Sequence, residues 1–369
     1  MCGATIDQIE VRDVRNLVTV EIEPACGTNI LFGDNGQGKT SLLEAIYWLA
    51  TTKSFRTTRL RELIRHGASG CHVHASILDQ GTRRHQQIGM TGAQRTQRID
   101  GKVPERVSSY AVRTPVVVFH PSELALTMGP ASERRRLIDR VGLFVDSRGY
   151  EIHRAYKAAM KARQQLLKQQ GENAKGLEAY ETLMARDGGQ LMRFRLEVLE
   201  LLEAQVQQAF EQLAPDGVKL RWSYEPGGCL EPELFLKHLY ETRRSDAIRG
   251  SAGFGPHRDD WSLRLTDHRG ERSVRTDGSQ GQHRMLTLAV KLAEMACIER
   301  SSNRRPILLL DDVSSELDEE RTKAFFDVLA TRHDQVFLTT TRLQMMPIYE
   351  GSLGESKVWQ VRDGQVRAG

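Results

Sequence analysis

Apolar and polar residues alternate along several short segments, and this period of two predicts half-buried β-strands. The clearest example is 18–23, where Val18, Val20 and Ile22 share one face. Three largely apolar runs are expected to be buried strands: 29–32, 116–119 and 307–310. Strand patterns also occur in four other places: 72–100, 218–224, 261–266 and 335–339. A last alternating stretch surrounds Val358, Val361 and Val366.

Apolar positions at helical spacing predict helices over 40–50, 280–300 and 319–330. From 132 to 213, charged and apolar residues mix at the same spacing without a proline, which predicts two or three long helices. No heptad repeat is sustained there, so a long coiled coil is not expected. Strands and helices alternate on both sides, which favours a parallel sheet. We therefore predict an α/β domain formed by 1–131 and 214–369, interrupted by a helical insertion domain at 132–213.

A glycine-rich segment between a predicted strand and a predicted helix matches the phosphate-loop pattern G-x-x-x-x-G-K-[ST]. Its residues are Gly33, Asp34, Asn35, Gly36, Gln37, Gly38, Lys39 and Thr40, followed by Ser41. Glycines let successive main-chain N–H groups turn toward phosphate oxygens, and the helix N-terminus adds partial positive charge. Lys39 is expected to reach the β- and γ-phosphates of ATP, and Thr40 is expected to ligate Mg²⁺.

Two acids end the buried strand at 307–310. Asp311 is predicted to bind Mg²⁺ directly or through water, because a phosphate loop requires a metal-binding acid. Asp312 follows at once, and the pair resembles the ABC ATPase pattern, in which the second acid orients the attacking water. The resemblance makes Asp312 a candidate catalytic residue, and Lys39 is the other candidate. Such a second acid is usually Glu in ABC ATPases, and here it is one methylene shorter.

Further motifs resemble those of ABC ATPases. Ser279, Gly281 and Gln282 stand in a segment similar to the S-G-G-Q signature, which in that family binds ATP held by a second subunit. Ser315–Asp318 resembles the D-loop that touches the partner subunit. The segment 339–341 is Thr-Thr-Thr where ABC transporters carry a switch histidine, and His333 lies before that strand. Fast hydrolysis is therefore not expected.

The motifs together resemble the RecF family of bacterial recombinational-repair ATPases, over essentially the whole chain. The resemblance rests on the phosphate loop with 53–56 downstream, on 121–136, on 255–260 and on 310–318. It implies an ABC-type ATPase head in which Arg15 and Asn16 lie near the nucleotide. It also implies an ATP-driven homodimer that binds gapped or junction DNA, helps RecO and RecR to load RecA, and hydrolyses ATP slowly.

The bulk composition permits this function without demanding it. Lys and Arg outnumber Asp and Glu by 52 to 48, so a polyanionic partner is possible. The basic residues between the phosphate-loop helix and the next strand are the preferred DNA-binding candidates: Lys53, Arg56, Arg59, Arg61 and Arg65. The five cysteines contain no C-x-x-C pair, which fits a reducing compartment. Without a signal-peptide pattern or a bilayer-length apolar stretch, the protein is expected to be cytoplasmic.

Two other functions fit part of the pattern. A P-loop phosphotransferase for a small molecule would need neither a signature helix nor a second subunit, so the Ser279 segment argues against it. A structural chromosome protein of the SMC type would need a far longer coiled coil than 132–213 could form.

Overall fold

The computed structural model describes residues 3–214, 217–312, 335–341 and 355–369, together with Asp327 and Leu329. It divides into two compact units, one formed by Met1–Glu123 with Ile298–Gly369 and the other by Leu124–Cys297. The D-loop-like segment Ser315–Asp318, His333 and most of the helix predicted at 319–330 lie outside the described residues.

The strands of the described residues follow one another along the chain as β1 Thr5–Val14, β2 Leu17–Ile22, β3 Thr28–Phe32, β4 Gly70–Asp79, β5 Thr82–Thr91, β6 Gln94–Ile99, β7 Val116–Phe119, β8 Lys219–Glu225, β9 Asp260–Asp267, β10 Gly270–Ser273, β11 Ile307–Leu310, β12 Val336–Thr340, β13 Ser356–Arg362 and β14 Gln365–Ala368.

The α-helices of the same residues are α1 Lys39–Thr51, α2 Val107–Ala111, α3 Ala125–Met128, α4 Ala131–Val145, α5 Arg148–Gln170, α6 Leu177–Leu213, α7 Pro232–Glu241, α8 Arg243–Arg249, α9 Val274–Asp277 and α10 Gln280–Ser302. Short 3₁₀ turns occur at Leu60–Leu63, Pro121–Leu124 and Pro256–Arg258.

A largely parallel sheet organises the first unit. Its described strands run in the order β14-β13-β3-β12-β11-β7, and all neighbours from β13 to β7 are parallel, while β14 pairs antiparallel with β13. Parallel strands bring their carboxyl ends to one edge of the sheet, where ligands bind in open α/β folds. The parallel sheet expected from the strand and helix alternation is therefore confirmed.

An antiparallel sheet in the order β2-β1-β4-β5-β6 completes this unit within the described residues. Its inner side chains, such as Ile9 and Val73, join α1 and the parallel sheet in one hydrophobic core. Helix α1 is buried on most of its surface, including Trp48 at 0% exposure. A helix in this position must be apolar on more than one stripe, which explains the run from Leu42 to Ala50.

Three helices of the second unit, α4, α5 and α6, occupy the range where two or three long helices were predicted. A core around Tyr156, Met184 and Phe235 joins α5, α6 and α7. The unit runs beyond the predicted insertion because the sheet β10-β9-β8 belongs to it, with Trp261 of β9 donating a hydrogen bond to the Arg134 carbonyl of α4. The domain boundary at 132–213 stays a prediction. In the described part of the chain, no helix has the length and apolar character needed to cross a bilayer.

Candidate nucleotide-binding site

The glycine-rich loop lies between β3 and α1, as the sequence predicted. Gly33, Gly36 and Gly38 have φ angles of 151°, 80° and 119°, which residues other than glycine rarely adopt. A Cβ on Gly33 would also lie 2.2 Å from the Val361 carbonyl oxygen. The loop conformation therefore depends on glycine at these positions.

Lys39 begins α1 and folds back over the loop. Its Nζ donates to the carbonyl oxygens of Gly33 at 2.7 Å and Asp34 at 2.9 Å. Burial lowers the pKa of Lys39, and the carboxylates of Asp312, Asp311 and Asp34 oppose that effect. The ammonium group is thus held at the loop, in a strongly acidic surrounding.

Asp311 and Thr40 meet across the sheet edge. The Thr40 hydroxyl donates to Asp311 Oδ1 at 2.8 Å, and the Thr339 hydroxyl donates to the same oxygen at 2.9 Å. The Asp311 side chain is only 6% exposed. The two predicted Mg²⁺ ligands therefore lie within one hydrogen bond of each other, although 271 positions separate them in the chain.

Two side chains near Asp311 were not predicted as site residues. His120, which follows β7, places Nε2 at 3.4 Å from Asp311 Oδ2, and Thr339 lies in β12. Burial lowers the pKa of His120, while the Asp311 carboxylate opposes this. Both residues lie at the ends of strands that neighbour β11, and no local sequence signal indicates that strand order.

Asp312 leaves the sheet immediately after Asp311. Its φ angle is 52°, in the left-handed region that Asp tolerates better than most residues. Its main-chain N–H donates to the Thr339 hydroxyl at 2.9 Å. Thr339 therefore contacts both acids, accepting from Asp312 while it donates to Asp311.

Arg15 and Asn16 contact different parts of the site. Asn16 Nδ2 donates to the Gly36 carbonyl at 3.1 Å, and Asn16 Oδ1 accepts from the Ser41 hydroxyl at 2.8 Å, so Asn16 lies against the loop. Arg15 instead makes two hydrogen bonds of 2.8 Å with Glu44, a fully buried carboxylate on α1. In this structure Arg15 is an ion-pair partner of the phosphate-loop helix.

The five basic DNA-binding candidates have different surroundings. Arg56 Nη1 lies 3.4 Å from Glu44, and Arg65 Nε donates to Asp13 at 2.6 Å. Lys53 is exposed. Arg59 and Arg61 are exposed as well, and neither has an ion-pair partner among the residues that the structure describes. These two arginines are therefore the members of the set most available to a polyanion.

The signature-like segment lies in the second unit and forms the N-terminus of α10. The Ser279 hydroxyl accepts from the Gln282 N–H at 3.2 Å, and the Gln282 side chain accepts from the Ser279 N–H at 2.9 Å. This reciprocal pair is a capping box. Gly281 lies between them in the first turn. The hydroxyl proton of Ser279 stays available to a further acceptor, because the cap uses only the oxygen lone pair.

The segment Gly255–Asp260 is internal to the second unit. Asp259 is fully buried and accepts from Arg195 Nη1 at 2.8 Å, and His257 Nδ1 accepts from the Tyr156 hydroxyl at 2.7 Å. Asp260 makes two hydrogen bonds with the buried Arg134, of 2.5 and 2.8 Å. These contacts give the segment a structural role, with Asp259 in the core and Arg258 exposed. Arg134 is accordingly buried and paired.

The donors near Asp311 suit a hard cation, since hydroxyl and carboxylate oxygens are the ligands that Mg²⁺ prefers. No group of three or more His, Cys, Asp or Glu side chains that could hold a metal is found within the described residues, so a cation here would depend on Thr40, Asp311 and the phosphates. The phosphate loop, the lysine at its end and the acid on β11 define the chain as a P-loop nucleotide-binding protein.

The comparisons with known proteins narrow this class. The model for the RecF/RecN/SMC N terminal domain matches residues 5–361. The chain is 35% identical over 367 residues to "DNA replication and repair protein RecF" of Anaeromyxobacter sp., with 97% of each chain covered. Its identity to the RecF of Geobacter sulfurreducens is 37% over 344 residues, covering 91% of this chain and 92% of the relative. The chain therefore belongs to the RecF family, within the wider RecF/RecN/SMC group.

Solved structures agree on the fold. A structure of the "recombination mediator protein RecF-ATP in RecFOR pathway" superposes with a TM-score of 0.89 at 25% identity, covering 100% of this chain and 98% of the other. The Smc head domain from Pyrococcus furiosus gives a TM-score of 0.59 at 16% identity, covering 99% and 96% of the two chains. The second likeness supports the head fold alone. The fold class predicted from the sequence is confirmed.

Proposed function

We propose that the chain binds ATP with Mg²⁺ at the loop between β3 and α1. The main observation in support of this proposal is the 2.8 Å hydrogen bond between Thr40 and Asp311, next to the Lys39 ammonium. The loop main chain and Lys39 would hold the phosphates, and Thr40 with Asp311 would hold the cation. A bound Mg²⁺ would neutralise phosphate charge. The RecF-ATP structure supports this proposal.

The larger function proposed is ATP-controlled DNA binding in recombinational repair and replication restart. Two subunits would associate when ATP lies between the phosphate loop of one and the Ser279 segment of the other. The dimer would bind gapped or junction DNA without sequence preference and would assist RecO and RecR in loading RecA. The similarity to RecF proteins of DNA replication and repair supports this role, and we propose a cytoplasmic location with it.

Hydrolysis would be slow and would serve as a switch. Asp312 is one methylene shorter than the usual Glu, so its carboxylate reaches less far toward an attacking water. The 339–341 segment offers hydroxyls and no imidazole. Thr339 is already engaged with Asp311 and Asp312, which suits a positioning role and leaves proton transfer to Asp312.

Lys39→Ala tests the proposed site. The variant loses a charged donor to the phosphates, and a hydrogen bond to a charged group contributes about 1.5–3 kcal/mol, so ATP should bind roughly ten- to a hundredfold more weakly. Calorimetric titration with Mg-ATP measures the change. Lys102→Ala is the matched control, because Lys102 is exposed on the same unit. Equal ATP affinity in both variants would contradict the proposal.

The two alternative functions make different predictions for the same material. A small-molecule phosphotransferase would bind Mg-ATP and stay monomeric, and its ATP turnover would rise with a substrate other than DNA. A structural chromosome protein would dimerise through long helices, for which α5 and α6 at 23 and 37 residues are short. Sedimentation with ATP and with ADP, in the presence and absence of gapped duplex DNA, separates these outcomes.

A further inference from the structure

The hairpin at the C-terminal end of the chain meets the phosphate loop. Strand β13 pairs in parallel with β3, and its register places Trp359 opposite Leu31 and Gln360 opposite Phe32. The pairing ends at Gln360 and Phe32, so the next residues of the two segments, Val361 and Gly33, are neighbours. Val361 accordingly lies so close to Gly33 that a Cβ there would be 2.2 Å from its carbonyl oxygen.

The turn of the hairpin contacts the far end of the same loop. Arg362 pairs with Gln365, which leaves a two-residue turn of Asp363 and Gly364. Their φ angles are 48° and 74°, as a tight hairpin turn of the Asp-Gly type requires. The N–H groups of such a turn are not used inside the hairpin. Here Asp363 N donates to Gln37 Oε1 at 2.6 Å, and Gly364 N donates to the Gln37 carbonyl at 3.0 Å.

The remaining loop carbonyls near this contact are also engaged. Gly36 O accepts from Asn16, and the oxygens of Gly33 and Asp34 accept from Lys39. Gly364 packs on Asn16 so closely that a Cβ would lie 2.2 Å from the Asn16 carbonyl oxygen. Loop carbonyls that are held by protein donors cannot turn toward bound phosphates, where they would repel them.

We infer that Gln37 is a positioning residue for the phosphate site, and that the Asp363-Gly364 turn anchors the loop in its phosphate-binding conformation through it. This inference rests on the proposed function. It assigns a role to the side chain of Gln37, which lies between Gly36 and Gly38. Its amide faces the hairpin, so the main-chain N–H groups of the loop stay available to the phosphates. It also makes the C-terminal hairpin a determinant of nucleotide affinity.

Two variants test the anchor from its two sides. Gln37→Leu keeps the approximate size and removes the acceptor for Asp363 N–H. Gly364→Ala keeps Gln37 and pushes the turn away from Asn16. Arg367→Gln is the matched control, because Arg367 is exposed on β14 of the same hairpin and its side chain donates to Gln365. Competition binding of ATP, ADP and AMP against a fluorescent ATP analogue gives the affinities, and hydrogen exchange without nucleotide reports on the amides of 33–38.

Both variants should bind ATP and ADP about three- to tenfold more weakly, the equivalent of one lost hydrogen bond. AMP should be affected less, since the loop serves the distal phosphates. Exchange at 33–38 should accelerate in both variants and stay as in the parent chain for Arg367→Gln. Unchanged ATP affinity in both variants overturns the inference, even with faster exchange. An equal loss for AMP together with a lower melting temperature overturns it too, because general destabilisation would then explain the data. If the parent chain fails to bind ATP, the proposed function fails, whereas the exchange measurement still tests the anchor.

Discussion

A single buried carboxylate, Glu44, connects the phosphate-loop helix with the basic segment after it. Glu44 lies one helical turn beyond Thr40 and is 0% exposed. It accepts from Arg15 and from the Ser54 hydroxyl, the latter at 2.5 Å, and Arg56 lies 3.4 Å away. A buried carboxylate is tolerated only when it is paired, so Glu44 requires these partners for the stability of the fold. Arg56 is therefore a weaker DNA-binding candidate than the sequence alone indicated.

Arg59 and Arg61 are the residues on which DNA binding should depend most. We expect Arg59→Glu with Arg61→Glu to weaken binding to all DNA sequences alike, because lost phosphate contacts carry no sequence information. Each contact contributes roughly 0.9 to the slope of log affinity against log salt, so the slope should fall by up to about 1.8. Titration of labelled gapped duplex DNA with ATP, over a range of salt concentrations, measures both effects.

The control for this experiment carries the same change of charge elsewhere on the same unit. Arg95→Glu with Arg98→Glu alters two exposed arginines of β6. Its salt slope should match that of the parent chain. If the two double variants lose affinity to the same extent, the long-range charge of the protein governs binding, and the segment from Lys53 to Arg65 has no special role.

At the level of single residues, the phosphate-loop motif predicted the nucleotide-binding residues, whereas the sequence did not predict which side chains surround them. Lys39, Thr40 and Asp311 are found together because the phosphate-loop chemistry requires them together. His120 and Thr339 could not be assigned in advance, since their proximity to Asp311 depends on the strand order β12-β11-β7. Nothing local in the sequence shows that Arg134 is buried and paired with Asp260, because charged residues are usually exposed.

Helix α10 illustrates the same limit for whole elements. It was predicted at 280–300 and is found at Gln280–Ser302, because its apolar spacing and its Ser279 cap are local signals. Its packing partner was not predictable. Glu294 is fully buried between Lys291, whose Nζ is 2.6 Å away, and Arg140 of α4, with which it makes two hydrogen bonds. This triad fixes α10 to α4 within the second unit.

The triad should make the second unit sensitive to acid. Burial alone raises the pKa of Glu294, but Arg140 and Lys291 outweigh it and hold the pKa at about 2, below the usual 4.5. A carboxyl with a depressed folded-state pKa stabilises the fold above its unfolded pKa. That contribution disappears as the pH falls from 4.5 toward 2. It should be on the order of 3 kcal/mol at neutral pH.

Urea unfolding of the parent chain and of Glu294→Gln at several pH values measures this contribution. The difference in unfolding free energy should be largest near pH 7 and should shrink below pH 4.5, where the carboxyl of the unfolded chain becomes protonated. Glu203→Gln is the control, because Glu203 is exposed on α6. A constant difference from pH 7 to pH 3 would mean that the charge of Glu294 does not stabilise the packing of α10.

At the scale of the whole molecule, the order of the strands along the chain differs from their order in the sheet. The site depends on this difference, because the sheet brings together strand ends that are distant in the chain. Strands β3, β11 and β12 are far apart in sequence and adjacent in the sheet. Periodicity predicted each of these strands, and β7 and β11 have the predicted bounds. Periodicity does not specify neighbours, however, because any apolar strand could pair with any other. The phosphate-loop motif indicated only that the ends of β3 and β11 lie close together, and it did not show that β12 lies between them.

The proposed assembly of two subunits is tested by separating ATP binding from association. Ser279→Arg should leave ATP binding intact, since Lys39 and Thr40 hold the nucleotide within one subunit. It should prevent dimerisation, because a bulky cation replaces a small hydroxyl where the phosphate of the other subunit would approach. Asp312→Asn should give the opposite defect. It keeps the shape and removes the carboxylate that orients water, so the ATP-bound dimer should persist without hydrolysis.

Sedimentation velocity at saturating Mg-ATP distinguishes the two variants, and Ser279→Thr is the control for the helix cap. Arg at this position also removes the capping box, which costs about 1 kcal/mol, whereas Thr retains the hydroxyl that accepts from the Gln282 N–H. The Thr variant should therefore dimerise with ATP, and the Arg variant should stay monomeric with its ATP site filled. Dimerisation of Ser279→Arg at the parent level would show that the signature segment does not meet the nucleotide of a second subunit. The single-subunit phosphotransferase would then become the better explanation of the phosphate loop.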